Sequence, residues 1–295
     1  MNTGGGDGED CTTYLSSFFG KRNIPQLCKA LFKPLTIDLA NKALDSLQPN
    51  SSPGLDGFTI KIYKSFRDFF APKIVDVMHQ FLAEGEIPQQ WSLALLNPIP
   101  KVAGVPHSKD LRPLVLQNTC LKWITAIISL QIADIVAQMT PPQQKGFIKG
   151  RYMFDHLYDA FGAWKDLKEG CFLFVDFSKA YDSVTHQFAS TFFTSLSFPP
   201  QLVTLLLNLF NSPMALVING GVCLSSLIWP TSGIRQGCPL SPILFAMLVS
   251  PIIHKLNLVS PCVRVLLYAD DLLVIVRDTP QECPAQLGQN KCSTH

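Results

Sequence analysis

Asp270 and Asp271 stand side by side between Leu266-Leu267 and Leu272-Leu273, with no Lys or Arg within five residues on either side. Adjacent carboxylates repel, and an apolar setting penalises their charge unless a cation holds them. Carboxylate oxygens are hard ligands that suit Mg²⁺. Taken alone, the pair also fits an exposed hairpin turn, where acids are common. Asp176 changes that reading, because it ends the apolar run Cys171-Phe-Leu-Phe-Val175. Two strand ends in one small sheet would then present three carboxylates together. Two divalent ions about 3.5–4 Å apart on such acids activate an attacking oxygen and stabilise a leaving one in phosphoryl transfer. Asp182 lies past the strand and reads as a local cap or ion-pair partner.

A second chemical element is Ser232-Gly-Ile-Arg-Gln-Gly-Cys-Pro-Leu-Ser-Pro242. Its glycines allow close approach of backbone to a ligand, and Pro239 suits the first turn of a helix. Gln236 can hydrogen-bond a nucleotide, while Arg235 can contact phosphate or anchor the loop. Basic clusters occur at Lys61/Lys64/Arg67, Lys101/Lys109/Arg112 and Lys145/Lys149/Arg151. Such clusters are usually solvated surface and gain meaning only beside a chemical site.

The elements that must position these groups follow from pattern and punctuation. A helix starts near Thr36, which can cap it, and carries Ala40, Ala43, Leu44 and Leu47 on one face. A turn-rich loop over residues 49–57 follows, then helices over 59–70 and 72–84, the last stopped by Gly85. Residues 93–100 read as a strand and 114–137 as largely helical. From Cys171 the pattern becomes β-rich, with helices at 186–195 and 201–210 and strands at 214–219 and 223–229 joined through Gly220-Gly221. A helix begins near Pro239, and two apolar runs, 263–267 and 272–277, form a hairpin with the paired acids at its tip. The expectation is an α+β fold, with an antiparallel sheet behind a separate helix-rich first half.

Composition sets outer limits. The 295 residues are 47% hydrophobic and 16% charged, a globular balance that can bury a sizeable core. No uninterrupted apolar run of about twenty residues stands out, the richest stretch, 240–253, being broken by Pro242 and Pro251. The first ten residues have neither a basic nor an apolar region of a secretory signal. The nine cysteines lack any Cys-x-x-Cys, so reduced core thiols fit better than a zinc site or disulfide framework. The net charge of +2 is slight, although basic residues outnumber acids up to Lys165 and not beyond.

Three segments in this order resemble the ordered motifs of reverse transcriptases, most closely those of non-LTR (LINE-type) retrotransposons. Phe174-Val-Asp176-Phe-Ser-Lys-Ala-Tyr181-Asp182 is similar to that family's motif A, Gly233-Ile-Arg-Gln-Gly-Cys-Pro-Leu-Ser-Pro to motif B, and Tyr268-Ala-Asp-Asp to motif C. Upstream, Ser52-Pro-Gly-Leu-Asp56-Gly-Phe, Asn97-Pro-Ile-Pro-Lys101, Leu111-Arg112-Pro-Leu and Gln144-Lys-Gly-Phe-Ile-Lys-Gly-Arg151 resemble its fingers motifs. The likeness covers roughly Leu35 to Arg277, and seven blocks in order leave little to chance; group II intron proteins are the nearest competing relatives.

The resemblance implies a right-hand polymerase fold: a loosely ordered segment 1–34, helix-rich fingers over 35–168, an antiparallel palm over 169–278, and a tail 279–295 with the thumb absent. It implies Asp176, Asp270 and Asp271 as the catalytic metal-binding triad, with the Phe177 carbonyl as a further ligand to two Mg²⁺ ions, for which Mn²⁺ could substitute. Lys101 and Arg112 would clamp the incoming triphosphate, Tyr181 would exclude a ribose 2′-OH, and Gln236 would lie by the sugar and base. Tyr268 would sit near the primer end and Lys145, Lys149 and Arg151 near the template backbone, whereas Lys179 and Asp56 read as structural. The implied partners are RNA template, DNA primer and dNTPs, without membrane or obligate protein partner, in the cytoplasm or nucleus.

Past Arg277 the family's next motif, whose lysine assists proton transfer, is not recognisable; Lys291 is the sole candidate and its context does not match. The expectation is therefore a truncated RNA-directed DNA polymerase core, weakly active or inactive as it stands. The alternatives are a non-catalytic remnant that at most binds nucleic acid, and a palm-fold nucleotide cyclase. The cyclase reading leaves the motif B segment and the upstream blocks unexplained.

Overall fold

The computed structural model describes Leu15, Phe18 and residues 34–101, 111–167, 169–218 and 221–277. Helix α1 (Ile37–Ser46) begins where expected, with the Thr36 hydroxyl accepting from the Leu39 amide. Helices α2 (Ile60–Ser65) and α3 (Arg67–Glu84) follow, and Gly85 ends α3 at φ 72, the left-handed conformation glycine adopts most easily. After the short α4 (Gln89–Ser92) come strands β1 (Ala94–Pro100) and β2 (Leu111–Leu116). The helical reading of residues 114–116 is corrected: the β-branched and proline-containing segment Leu111–Leu116 pairs antiparallel with β1.

Helix α5 (Thr119–Met139) is the central core helix, with fourteen buried residues including Trp123, Ile124, Ile127 and Ile128. It is apolar nearly all round because protein covers it nearly all round. Helix α6 (Met153–Asp166), strand β3 (Gly170–Val175) and helices α7 (Ala180–Ser183), α8 (His186–Ser195) and α9 (Pro200–Asn211) come next. Strands β4 (Met214–Ile218) and β5 (Gly221–Ile228), helices α10 (Ser241–Leu248) and α11 (Ser250–Val259), and the hairpin β6 (Val263–Tyr268) and β7 (Asp271–Arg277) complete the chain's described elements. Two helical stretches, Thr119–Met139 and Ser241–Val259, are long and apolar enough to cross a membrane by length and composition, which corrects the expectation that none would be. The first is 67% buried inside the fold and the second 50%, as core helices are.

The mixture of helices and sheets agrees with the α+β expectation, but the strands divide differently. One sheet has the order β2-β1-β4-β5 and includes a parallel β1–β4 pair; the other is the antiparallel β3-β7-β6. Strands on both sides of residue 168 therefore share a sheet. The main hydrophobic cluster likewise runs from Leu15 through α1, α3 and α5 to Phe245 and Leu248. Among the described residues the main core is thus shared by the first half and the second.

The upstream loop is tied to this core. The Asn118 side-chain amide donates to the Gln90 carbonyl, and its Oδ1 accepts from the Asp56 amide. The buried Lys122 ammonium, its pKa pushed down by burial, donates to the Ser52 carbonyl at 2.6 Å. A Cβ on Gly54 would stand 2.3 Å from Asn118 Oδ1, so only glycine permits that approach. Asp56 accepts from the Phe58 amide in an Asx turn.

Candidate active site

The β6–β7 ladder runs to Tyr268 opposite Asp271, leaving Ala269 and Asp270 as a two-residue turn. Across β7, Val175 pairs with Leu272, so Asp176 emerges one residue beyond the last pair, next to the acidic turn. Strand register alone thus brings the three aspartates to one end of the sheet. Asp176 and Asp271 are exposed and Asp270 is half-buried, and β3 itself is an edge strand with Phe174 82% exposed. The apolar neighbours in sequence therefore do not bury the acids, and burial does not by itself demand a counter-ion here.

A cavity of about 1060 Å³ opens beside the turn, lined by Lys101, Arg112, Asp176, Phe177, Tyr181, Gln236 and Asp270 among others. The β1–β2 ladder, with Ile99 opposite Arg112 and Pro100 opposite Leu111, delivers Lys101 and Arg112 to the same wall. Both are exposed, and among the described residues neither has a carboxylate in ion-pairing range. A neighbouring apolar groove of about 540 Å³ is lined by Asp176, Tyr268 and Asp271 with Phe161, Trp164 and Phe172. Asp176 borders both spaces; Asp270 faces the first and Asp271 the second.

Among the described residues no group of three or more His, Cys, Asp or Glu is close enough to hold an ion as it stands. The convergent triad expected from sequence is therefore two acids on the cavity and a third alongside. The donor set still suits a hard cation. Asp176 and Asp270 supply only oxygens, the Phe177 segment lines the same wall, and among the described residues no Lys or Arg pairs with any of the three aspartates.

The cavity floor is built by two loops sewn together. The Gly233 amide donates to the Val184 carbonyl and the Ile234 amide to the Tyr181 carbonyl. Tyr181 stacks on Phe245, with ring centroids 4.2 Å apart and planes 12° apart. Burial first, and then the Asp270 charge, push its phenol well above the ordinary value. Gly237, at φ 107, lets the Gln236 carbonyl accept from the Val115 amide at 3.0 Å, and a Cβ there would lie 2.5 Å from the Val115 carbonyl oxygen. Arg235 is buried, donating to the carbonyls of Ser92 and Ser212, and burial lowers its pKa to about 10. Of the two roles open to it in sequence, the structure assigns anchoring.

The basic trio downstream of α5 lines neither space. Lys145 pairs with Asp155 at 3.1 Å, and Lys149 pairs with Asp134 at 3.3 Å on the surface. Arg151 donates to the carbonyls of Ala137, Thr140, Pro141 and Gln144, closing the C-terminal end of α5. Its reading as a template contact is corrected: the guanidinium fork is spent on backbone.

Asp182, read from sequence as a local cap or ion-pair partner, lines the cavity, and burial raises its carboxyl pKa against the lowering fields of Lys179 and Lys101. Sequence reasoning passed over one residue. Gln144, fully buried, bonds the Ala269 peptide; it sat unremarked inside an upstream motif, and no local pattern signals a contact 125 residues away. Lys109, Lys291, Cys283 and Cys292 lie outside the described residues.

A strand-end acid, one acid of the neighbouring turn, a lysine and an arginine thus line one cavity of a size that can take a small-molecule ligand. The chain belongs to the reverse transcriptase (RNA-dependent DNA polymerase) family, whose profile matches residues 99–292, and within it to the non-LTR retrotransposon type. It is 33% identical over 276 residues to the transposon TX1 uncharacterized 149 kDa protein of Xenopus laevis, covering 85% of this chain and 20% of that protein. It is 26% identical over 211 residues to the retrovirus-related Pol polyprotein from type-2 retrotransposable element R2DM of Drosophila melanogaster, covering 70% and 19%. With the type-1 element R2 polyprotein of Popillia japonica the identity is 23% over 256 residues, covering 83% and 35%. The chain thus spans about a fifth to a third of the length of these relatives.

Proposed function

We propose that this chain carries the polymerase chemistry of a retrotransposon reverse transcriptase: a primer 3′-OH attacks the α-phosphate of a dNTP paired to an RNA template, and pyrophosphate leaves. The observation that carries the reading is the single cavity shared by Lys101, Arg112, Asp176, Phe177, Tyr181, Gln236 and Asp270. Asp176, Asp270 and Asp271, with the Phe177 carbonyl, would hold two Mg²⁺ ions. When bound, they neutralise phosphate charge and raise the nucleophilicity of the attacking oxygen. Lys101 gives the triphosphate a point charge and Arg112 a planar fork, and among the described residues neither is held by a carboxylate. Tyr181, held flat by Phe245, walls the sugar side and disfavours a ribose 2′-OH, while Gln236 hydrogen-bonds the sugar or base. Tyr268, beside Asp271 in the apolar groove, supports the primer end. Exposed Lys149 can reach a template phosphate; Lys145, held by Asp155, does so only by leaving that pair.

In the same reading, residues 35–168 form fingers and 169–278 a palm that share one core. The test is primer extension on an RNA template with Mg²⁺ and dNTPs, comparing the purified chain with Asp270→Ala. Extension by the chain and none by the variant is expected. Equal behaviour of the two would favour a remnant that at most binds nucleic acid.

A further inference from the structure

Ala269 adopts φ 57, a left-handed backbone region that alanine enters only under strain and glycine enters freely. It does so in the turn that carries Asp270, where any rotation of the peptide re-aims the carboxylate. What holds it there comes from far away in sequence. Gln144 Oε1 accepts from the Ala269 amide at 2.9 Å, and Gln144 Nε2 donates to the Ala269 carbonyl at 3.1 Å. The same Oε1 accepts from the Gly146 amide at 2.8 Å, fixing the side chain's own orientation. The amide group thus satisfies both polar groups of Ala269, as a neighbouring strand would.

The segment behind Gln144 is itself braced. The Leu267 amide donates to the Gln143 carbonyl and the Lys145 amide to the Leu267 carbonyl, both at 2.9 Å, making a short parallel bridge along β6. Arg151 binds the Gln144 carbonyl from the other side, and His156 Nε2 bonds the Leu267 carbonyl. Gly146 presses so near that a Cβ would lie 2.2 Å from the Ala269 nitrogen. The two-residue turn, closed by the Tyr268–Asp271 pair, is therefore also seated on a platform from a distant segment.

We propose that Gln144 is a positioning residue for the catalytic acids: by locking the Ala269 peptide it sets the aim of Asp270, and with it the affinity of the site for divalent metal. The proposal rests on the polymerase reading of the acids. Its consequence is a metal phenotype distinct from a nucleotide phenotype, because Gln144 touches neither Lys101, Arg112 nor Gln236.

The experiment measures Mn²⁺ binding to the full chain by electron paramagnetic resonance, alongside the Mg²⁺ dependence of primer extension. Gln144→Met keeps side-chain length and removes the amide. It should weaken Mn²⁺ binding about tenfold, raise the half-saturating Mg²⁺ in proportion, and leave the dNTP KM at saturating Mg²⁺ within about twofold. Wild-type Mn²⁺ binding in Gln144→Met, with weakened binding in Asp270→Ala, would overturn the positioning role alone. Undiminished binding in Asp270→Ala would overturn the metal reading and this proposal with it. A second measurement needs no variant: amide hydrogen exchange across residues 268–271 of the wild-type chain. A slowly exchanging Ala269 amide is expected, and an unprotected one would refute the lock.

Discussion

Gly237→Ala probes how the cavity floor is held. At φ 107 an added methyl is strained whatever the space around it, at a cost of order 1–3 kcal/mol. Here the space is also missing, because the methyl would stand 2.5 Å from the Val115 carbonyl oxygen, a backbone atom of β2 that cannot swing aside. Relief requires the loop to lift from β2, which stretches the 3.0 Å bond from the Val115 amide to the Gln236 carbonyl, a loss of about 1 kcal/mol. The sum is about 2–4 kcal/mol, borne by the residue expected at the nucleotide sugar. Restoring the active geometry against that penalty lowers kcat/KM for dNTP by roughly 30-fold to 1000-fold. Thermal unfolding should fall by several degrees. Single-nucleotide extension across a dNTP series, with a melting curve, measures both. Gly57→Ala is the control: φ is 71, nothing lies within 4 Å of the added methyl, and Gly57 does not line the cavity, so it should cost some stability and leave the kinetics intact. Wild-type KM and kcat in Gly237→Ala would refute the claim that close approach to β2 sets the loop.

Arg151→Ala, which removes the guanidinium's hydrogen bonds to four carbonyls, should cost about 2–4 kcal/mol in denaturant unfolding, and Arg151→Lys should recover only part because it lacks the fork. Lys149→Ala, removing an exposed pair with Asp134, should stay within about 0.5 kcal/mol. His156 has its pKa lowered, by burial above all, so the fold favours neutral imidazole. Its contribution is present above the ordinary value of 6.5 and is lost as pH falls through the lowered one. The melting-temperature drop between about pH 7.5 and about pH 5 should therefore be smaller in His156→Gln than in the wild-type chain. Asp182 has the opposite sign for an acid: burial raises its pKa, so its destabilising effect appears as pH climbs above the ordinary 3.8. Asp182→Asn should raise the melting temperature at neutral pH and change nothing in strong acid.

Much of the site was legible because its signals are local. An acid after an apolar strand, an acid pair in a hairpin turn and a Gly-rich entry to a helix each declare themselves within ten residues, and strand register then brings the ends together. The α1 cap at Thr36 and the α3 stop at Gly85 were legible for the same reason. What was not legible depends on distant pairing. Residues 114–116 look helical from hydrophobicity, and only β1 makes them a strand. The joining of β1 to β4 across residue 168 has no local mark. Arg151 and Arg235 look like phosphate contacts until the carbonyls around them are known. Tyr181 shows the mixed case: its place after Asp176 was readable, its stack on Phe245 was not.

The central claim is that Asp176 and the acidic turn work together at one catalytic cavity. The most direct measurement is single-turnover incorporation of one dNTP opposite an RNA template at saturating Mg²⁺, comparing the wild-type chain with Asp176→Asn and Asp270→Asn. The account expects incorporation by the wild-type chain and a loss of about a thousandfold or more in each variant, with folding unchanged because Asp176 is exposed and Asp270 half-buried. Incorporation by either variant at the wild-type rate would contradict it.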